Sequence, residues 1–187
     1  MFVHLNTHSV YSEMSGLIPV KKLIQLSNVN GMGSLALTDV NCLSGFINFV
    51  KYCNSMEVKP IAGANLIAKD EDIIVLVENQ IGYENLCRII SKLHDNANQK
   101  VSDMILSYPS GLFILAENYL VLKQLKPVIS NTHLFIELRP GGSEFDAKKL
   151  SKKLQLEIIA TGNVYFHNMS DYESYIMLLA IKKNSTL

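Results

Sequence analysis

The sequence of 187 residues has no tryptophan, no excess of either charge and no Cys-x-x-Cys motif. Lysine plus arginine equals aspartate plus glutamate at 17 each, so the formal net charge is zero. A free-standing DNA-binding module usually carries a basic excess, because its affinity depends on contacts to phosphates. We therefore expect at most an indirect contact with DNA. The odd number of scattered cysteines (Cys42, Cys53, Cys87) predicts free thiols in a reducing compartment.

Long apolar runs and targeting signals are also missing. No apolar run approaches the roughly 20 residues that span a bilayer. The first five residues lack the basic and apolar regions of a secretory leader. These absences predict a cytoplasmic protein without a membrane anchor. The length and the apolar content of 48% favour one globular domain over residues 1–187.

The sequence does contain an alternation of short apolar runs and longer helical patterns. The runs predict strands at 2–5, 34–38, 60–68, 73–77, 112–116, 134–138 and 157–161. Apolar spacing predicts helices from Pro19 to just before Gly31 and at 44–52, 83–93, 145–154 and 171–181. This alternation indicates parallel βαβ units. About seven units favour a closed barrel, although a doubly wound open sheet has the same pattern.

Polar residues follow several predicted strands, and one, Asn65, lies within the third, at the edge where α/β folds place their functional groups. They are His8, Asp39, Asn65, Asn118, Asn163 and Tyr165. A multinuclear metal centre needs several carboxylates and imidazoles, and this set has one of each. The residues alone therefore indicate a polar cleft that is poor in metal ligands.

A series of short segments runs through nearly the whole chain, at 2–12, 35–39, 43–45, 59–63, 82–86, 111–115 and 160–166. In this order they resemble the motifs of PHP domains, and 82–86 and 111–115 resemble segments typical of bacterial DNA polymerase III alpha subunits. The resemblance implies a distorted (β/α)7 barrel with mainly parallel strands. In this family the barrel binds up to three metal ions at the carboxyl ends of its strands.

The family's ligand positions, carried over one by one, hold residues that bind metals poorly. They are Asn6, His8, Ser15, Val40, Asn65, Asn118, Asn163 and Tyr165. Only His8 retains an imidazole, while amides, hydroxyls and an alkyl group replace the other ligands. The resemblance thus predicts a degenerate metal site with no cofactor, and leaves weak divalent binding open. His8 and Asp39 are expected as polar residues of the former cleft.

The resemblance implies a structural and interaction role in DNA replication, as the N-terminal module of a longer DNA-directed polymerase, itself a nucleotidyltransferase. The implied partners are the remaining domains of the alpha subunit and, in some lineages, the proofreading exonuclease subunit. An active metal-dependent phosphoesterase or 3′→5′ exonuclease is the alternative. A third reading, an unrelated enzyme that binds a phosphorylated ligand, has no glycine-rich phosphate loop to support it.

Overall fold

Helices and strands alternate along residues 2–96 and 98–185, which are the residues described by the computed structural model. The helices are Val20–Val29 (α1), Phe46–Ser55 (α2), Gln80–Asp95 (α3), Val101–Ser107 (α4), Tyr119–Leu125 (α5), Glu144–Leu154 (α6) and Tyr172–Lys183 (α7). The strands are Ser34–Leu37 (β1), Lys59–Ala68 (β2), Glu71–Val77 (β3), Leu112–Ala116 (β4), Leu134–Leu138 (β5) and Ile158–Ala160 (β6). Within the described ranges, no helix combines the length and apolar character that a bilayer crossing requires.

The six strands form one curled, mostly parallel sheet in the order β1-β2-β3-β4-β5-β6. The pairs β1/β2, β4/β5 and β5/β6 are parallel, and β3 runs antiparallel to both of its neighbours. The expectation of mainly parallel strands is therefore confirmed, and β3 is the antiparallel exception. The cause is a two-residue turn at Lys69 and Asp70, whose positive φ values of 50° and 62° match the twist of a tight hairpin.

The predicted strand at 2–5 is not a regular strand. Residues 4–8 instead bond to both ends of the sheet. On one side, the amide of Ala36 donates to the His4 carbonyl at 3.0 Å. On the other side, the amide of His8 donates to the Val164 carbonyl at 2.8 Å, and Thr7 forms an isolated parallel bridge with Val164. This N-terminal segment thus links β1 to the chain beyond β6, in the place of the seventh strand.

The sheet is buried on both faces, which explains why its strands are almost continuously apolar. In β3, Ile73 and Val75 pack with the helices outside the barrel. Ile74 and Leu76 alternate with them and pack inside the barrel against other strands. The outer layer comes mainly from α3, α4 and α5, whose apolar residues join the larger core. This packing fixes the strand ends that carry the site.

Candidate functional site

His8 lies at the polar end of the barrel and is fully buried. Its ring packs face to face against Tyr165, and its Nδ1 lies 3.3 Å from Oγ of Ser12. Nε2 has no hydrogen-bond partner among the described residues. Burial, with a smaller contribution from Arg139, lowers the pKa of His8 to about 3. The imidazole is therefore neutral at physiological pH and keeps one ring nitrogen free.

Three amides belong to the same region. Asn65 lies close enough to Tyr165, and Asn163 to His8, to influence the pKa of each ring. Yet the side-chain oxygens of Asn6, Asn65 and Asn163 meet no partner with hydrogen-bond geometry among residues 2–96 and 98–185. A buried polar group without a partner costs about 1–3 kcal/mol. Such costs are typical of functional sites rather than of a core selected for stability alone.

Asp39 is almost fully buried and is surrounded by hydroxyl and amide donors. Its Oδ1 accepts from the Ser9 amide at 2.6 Å and from Oγ of Ser12 at 2.7 Å. Its Oδ2 accepts from Oγ of Ser9 at 2.8 Å. Burial raises the pKa of Asp39, and the serine hydrogen bonds oppose that effect. The carboxylate thus organises the turn after the N-terminal segment, and its oxygens are already occupied.

Arg139 follows β5 and connects carboxylates from neighbouring strands. Its two terminal nitrogens donate to the carboxylate of Asp72 at 2.6 and 2.9 Å. Its Nε donates to Oε2 of Glu137 at 2.8 Å and lies 3.8 Å from Oε1 of Glu117. Burial alone would lower the pKa of Arg139, but the hydrogen bonds to Asp72 and Glu137 raise it above its ordinary value. The guanidinium therefore stays charged.

Glu137 is the most deeply buried member of this charged group, with a side chain 0% exposed. Besides Arg139, it accepts from Nδ2 of Asn6 at 2.8 Å and from Oγ1 of Thr161 at 2.6 Å, both at Oε1. The sequence analysis missed Glu137, Arg139 and Asp72. A glutamate within the apolar strand Leu134–Leu138 was the available signal, since a buried charge requires a partner.

Three of the predicted ligand positions have other contacts. Oγ of Ser15 donates to the Ser12 carbonyl at 3.1 Å within a turn. The backbone of Val40 forms an isolated parallel bridge with Asn65. Its alkyl side chain has no atom that could bind a metal ion. Asn118 follows β4, as expected, but its Oδ1 accepts from the amide of Leu120 at 2.8 Å. It caps the N-terminus of α5 and is exposed.

The metal-binding capacity of the site can be judged from its titratable side chains. Within residues 2–96 and 98–185, no group of three or more histidine, cysteine, aspartate or glutamate side chains has an arrangement that could hold a metal ion. The nearby carboxylates of Asp39, Asp72 and Glu137 are engaged by serines, an amide or Arg139. The polar atoms that lack partners belong to amides and to imidazoles.

Helix α7 lies beside the polar end of the barrel. Its Tyr175 ring is 5.5 Å from that of Tyr165, and Nζ of Lys182 lies 3.4 Å from the Glu13 carbonyl. Lys182 also lines an open cavity of about 620 Å³ together with Tyr11 and His94. None of the α7 residues is buried, although the helix is largely apolar. The helix therefore flanks the site, and none of its residues is fully enclosed.

Comparison with known sequences gives consistent results over the whole chain. DNA polymerase III subunit alpha of Haemophilus influenzae is 27% identical over 219 residues, which cover 100% of this chain and 19% of that protein. The same subunit of Escherichia coli is 27% identical over 220 residues with the same coverage. The Bacillus subtilis subunit is also 27% identical, over 218 residues. The chain thus spans about a fifth of the length of these relatives.

Solved structures share the fold at low sequence identity. A putative metal-dependent phosphoesterase from Bifidobacterium adolescentis superposes with a TM-score of 0.63 at 8% identity, covering 94% of this chain and 96% of that one. An amidohydrolase from Chromobacterium violaceum also gives a TM-score of 0.63, at 10% identity and 87% coverage of both chains. The family model of the PHP domain matches residues 4–166. This chain is a member of the PHP domain family.

Proposed function

We propose that this chain is the PHP module of a DNA polymerase III alpha subunit, that its metal site is degenerate, and that it serves replication as a structural and interaction domain. One observation carries the proposal: the carboxylates of Asp39, Asp72 and Glu137 at the polar end of the barrel bond to Arg139 and to serines. The similarity to alpha subunits over the whole chain supplies the context. The domain would span residues 1–187 and act in the cytoplasm.

The donor set supports a degenerate metal site. Zinc, manganese and iron bind imidazole, carboxylate and thiolate groups far better than neutral amides. At the positions that carry the family's ligands, Asn6, Asn65 and Asn163 present amides, and His8 presents the imidazole. Since the loss of one or two ligands usually abolishes tight binding, these residues do not fit a multinuclear centre. Weak binding of one divalent ion through His8 is the most that this set supports.

The exposed apolar residues of α7 support the interaction role. Tyr172, Met177 and Ile181 are all exposed, although they are large and apolar. Exposed apolar residues that share one helix are typical of a surface that contacts another domain or protein. We propose that this surface contacts the remaining domains of an alpha subunit. The relatives are about five times as long as this chain, so they contain such domains. The proofreading exonuclease subunit is a second proposed partner.

Elemental analysis of the 187-residue protein, produced with manganese, zinc and iron in the medium, tests the degenerate site. We expect well under one metal ion per chain, and no rise in melting temperature when MnCl2 or ZnCl2 is added. Stoichiometric metal with clear stabilisation would contradict the proposal, because a ligand that binds the folded state raises its stability. A second variant, His8→Gln, should then lose the metal if the imidazole is a ligand.

A metal-dependent phosphoesterase or exonuclease is the competing function. The free Nε2 of His8 favours it, because a buried imidazole nitrogen without a partner can bind a metal ion. Such an enzyme would hydrolyse p-nitrophenyl phosphate, or degrade the 3′ end of single-stranded DNA, when Mn²⁺ or Zn²⁺ is present. Activity that co-purifies with the chain and disappears in His8→Gln would establish this function. Equal background in both proteins would leave the structural role as the better account.

A further inference from the structure

The guanidinium of Arg139 lies among side chains from three adjacent strands. Asp72 is on β3, Glu137 is on β5, and Glu117 follows β4 directly. Because β3 is antiparallel to β4, its first residues lie at the same end of the barrel as the last residues of β4 and β5. One side chain therefore contacts the carboxyl groups of three strands at the polar end.

The contacts of this group are both charged and directional. The side chain of Arg139 is 14% exposed. It forms a bidentate pair of hydrogen bonds with Asp72, an arrangement that fits the planar guanidinium. Its Nε satisfies one oxygen of Glu137, and Asn6 and Thr161 satisfy the other. Through Asn6, the N-terminal segment joins the same network. The cation thus connects the middle of the sheet to the segment that links its two ends.

We infer that Arg139 performs in this chain the structural task that a bound cation performs in a metal-containing barrel: it offsets the negative charge of Asp72 and Glu137 at the polar end and holds their strands together. This inference rests on the proposed loss of the metal site. A guanidinium is part of the chain and remains protonated at any pH the fold tolerates. The resulting cross-link requires no metal supply and resists chelators.

Removal of the guanidinium provides the test. Arg139→Met keeps an apolar stem of similar length and leaves Glu137 buried without its charged partner. Loss of one partner of a buried ion pair is strongly destabilising. We expect the melting temperature of the 187-residue protein in EDTA to fall by roughly 10 °C. The double variant Arg139→Met with Glu137→Gln should regain at least half of that loss, because the buried negative charge is gone.

The matched control is Arg88→Met. Arg88 forms an ion pair with Glu84 on the surface of α3, with an N–O distance of 3.7 Å and both side chains about half exposed. An exposed pair contributes little, so the melting temperature should change by less than about 3 °C. A loss in Arg139→Met no larger than in this control would overturn the inference. Failure of Glu137→Gln to rescue stability would overturn it as well.

A manganese titration supplies an independent measurement. Among the described residues, the carboxylates around Arg139 belong to no group that could hold a metal ion. MnCl2 should therefore leave the melting temperature of the wild type unchanged. Stabilisation of the wild type by manganese would overturn the proposed function, whereas the Arg139 and Glu137 variants in EDTA test the inference itself, so the two failures are distinguishable.

If Arg139→Met yields no folded protein, folding itself becomes the measurement. Circular dichroism and a cooperative melt would then be compared for Arg139→Met, Glu137→Gln and the double variant. A double variant that folds supports the inference, because it shows that the unpaired charge caused the failure. A double variant that remains unfolded, while Glu137→Gln alone folds, overturns it.

Discussion

His8 and Tyr165 stack as parallel rings, with centroids 4.0 Å apart and planes inclined by 5°. His8 comes from the N-terminal segment, and Tyr165 from the chain beyond β6. The stack therefore packs together two parts of the protein that are distant in sequence. It also removes the imidazole from water. Tyr165 is buried as well, and burial raises the pKa of its phenol to about 12. Both rings are uncharged near neutral pH.

The buried imidazole predicts a loss of stability in mild acid. Burial lowers the pKa of His8 from 6.5 to about 3. Between these two pH values, His8 is protonated in the unfolded chain and neutral in the folded chain. The contribution of the neutral His8 to the free energy of unfolding is fully present above pH 6.5 and is lost as the pH falls towards 3. Between pH 7 and pH 5 this amounts to about 2 kcal/mol. Urea unfolding at both values should show that His8→Phe loses this part of the pH dependence. Tyr165→Phe should retain it.

Replacement of the unpaired amide of Asn65 predicts a gain in stability. Asn65 is fully buried, and both of its side-chain polar atoms lack partners among the described residues. Asn65→Leu removes the desolvation cost and should raise the free energy of unfolding by about 1 kcal/mol. The matched variant is Asn85→Leu, since Nδ2 of Asn85 donates to the Ser110 carbonyl at 3.0 Å. It should lose about 1–2 kcal/mol. Equal losses in both variants would contradict this account.

Asn118 should behave as a helix cap. Its Oδ1 accepts hydrogen bonds from the first turn of α5. Asn118→Ala should lower the free energy of unfolding by about 1 kcal/mol, whereas Asn118→Asp should preserve it, because both asparagine and aspartate cap well. Chemical denaturation of the two variants measures the difference. A similar loss in both would argue against the cap.

Gly82 and Gly111 pack backbone against backbone. A Cβ added at Gly82 would lie 1.8 Å from the carbonyl oxygen of Gly111, so the chain would have to move. We expect Gly82→Ala to lose more than about 3 kcal/mol. At Gly31, where φ is 68° and an added Cβ meets open space, alanine should cost about 1 kcal/mol through backbone strain alone. Thermal melting of the pair separates steric contact from strain.

The strands were predictable because burial on both faces requires an almost continuous run of apolar residues, which is visible in the sequence. Ile73 to Val77 is apolar throughout, and the structure places these residues in β3. Helix α5 also had a local signal, the capping Asn118, which the sequence analysis interpreted as a lost ligand. Helix α4 had none: its Ser102 amide donates to Oε2 of Glu71 at 2.8 Å, and that glutamate lies 31 residues earlier. Because the capping carboxylate of Glu71 comes from β3, the sequence around α4 contains no capping residue that would reveal the start of the helix.

The charged network was hidden for a similar reason. Asp72 and Arg139 are separated by 67 residues, and only the order of the strands brings them together. The resemblance to PHP domains drew attention to the positions of absent ligands, and it contained no position for an added cation. The clustering of His8 with Asn163 and Tyr165 required the N-terminal segment to bond to Val164, a contact that periodicity does not encode.

The link between Thr7 and Val164 also bears on how the chain acquires its fold. A ribosome releases residue 7 long before residue 164, so the first segment has only one of its two neighbours during most of synthesis. Contacts between residues so far apart in sequence form slowly, because a long loop must close first. The ring of strands therefore cannot be completed until the last part of the domain has emerged. Until then, the edge of the N-terminal segment that will pair with Val164 is exposed to chaperones and to other nascent chains.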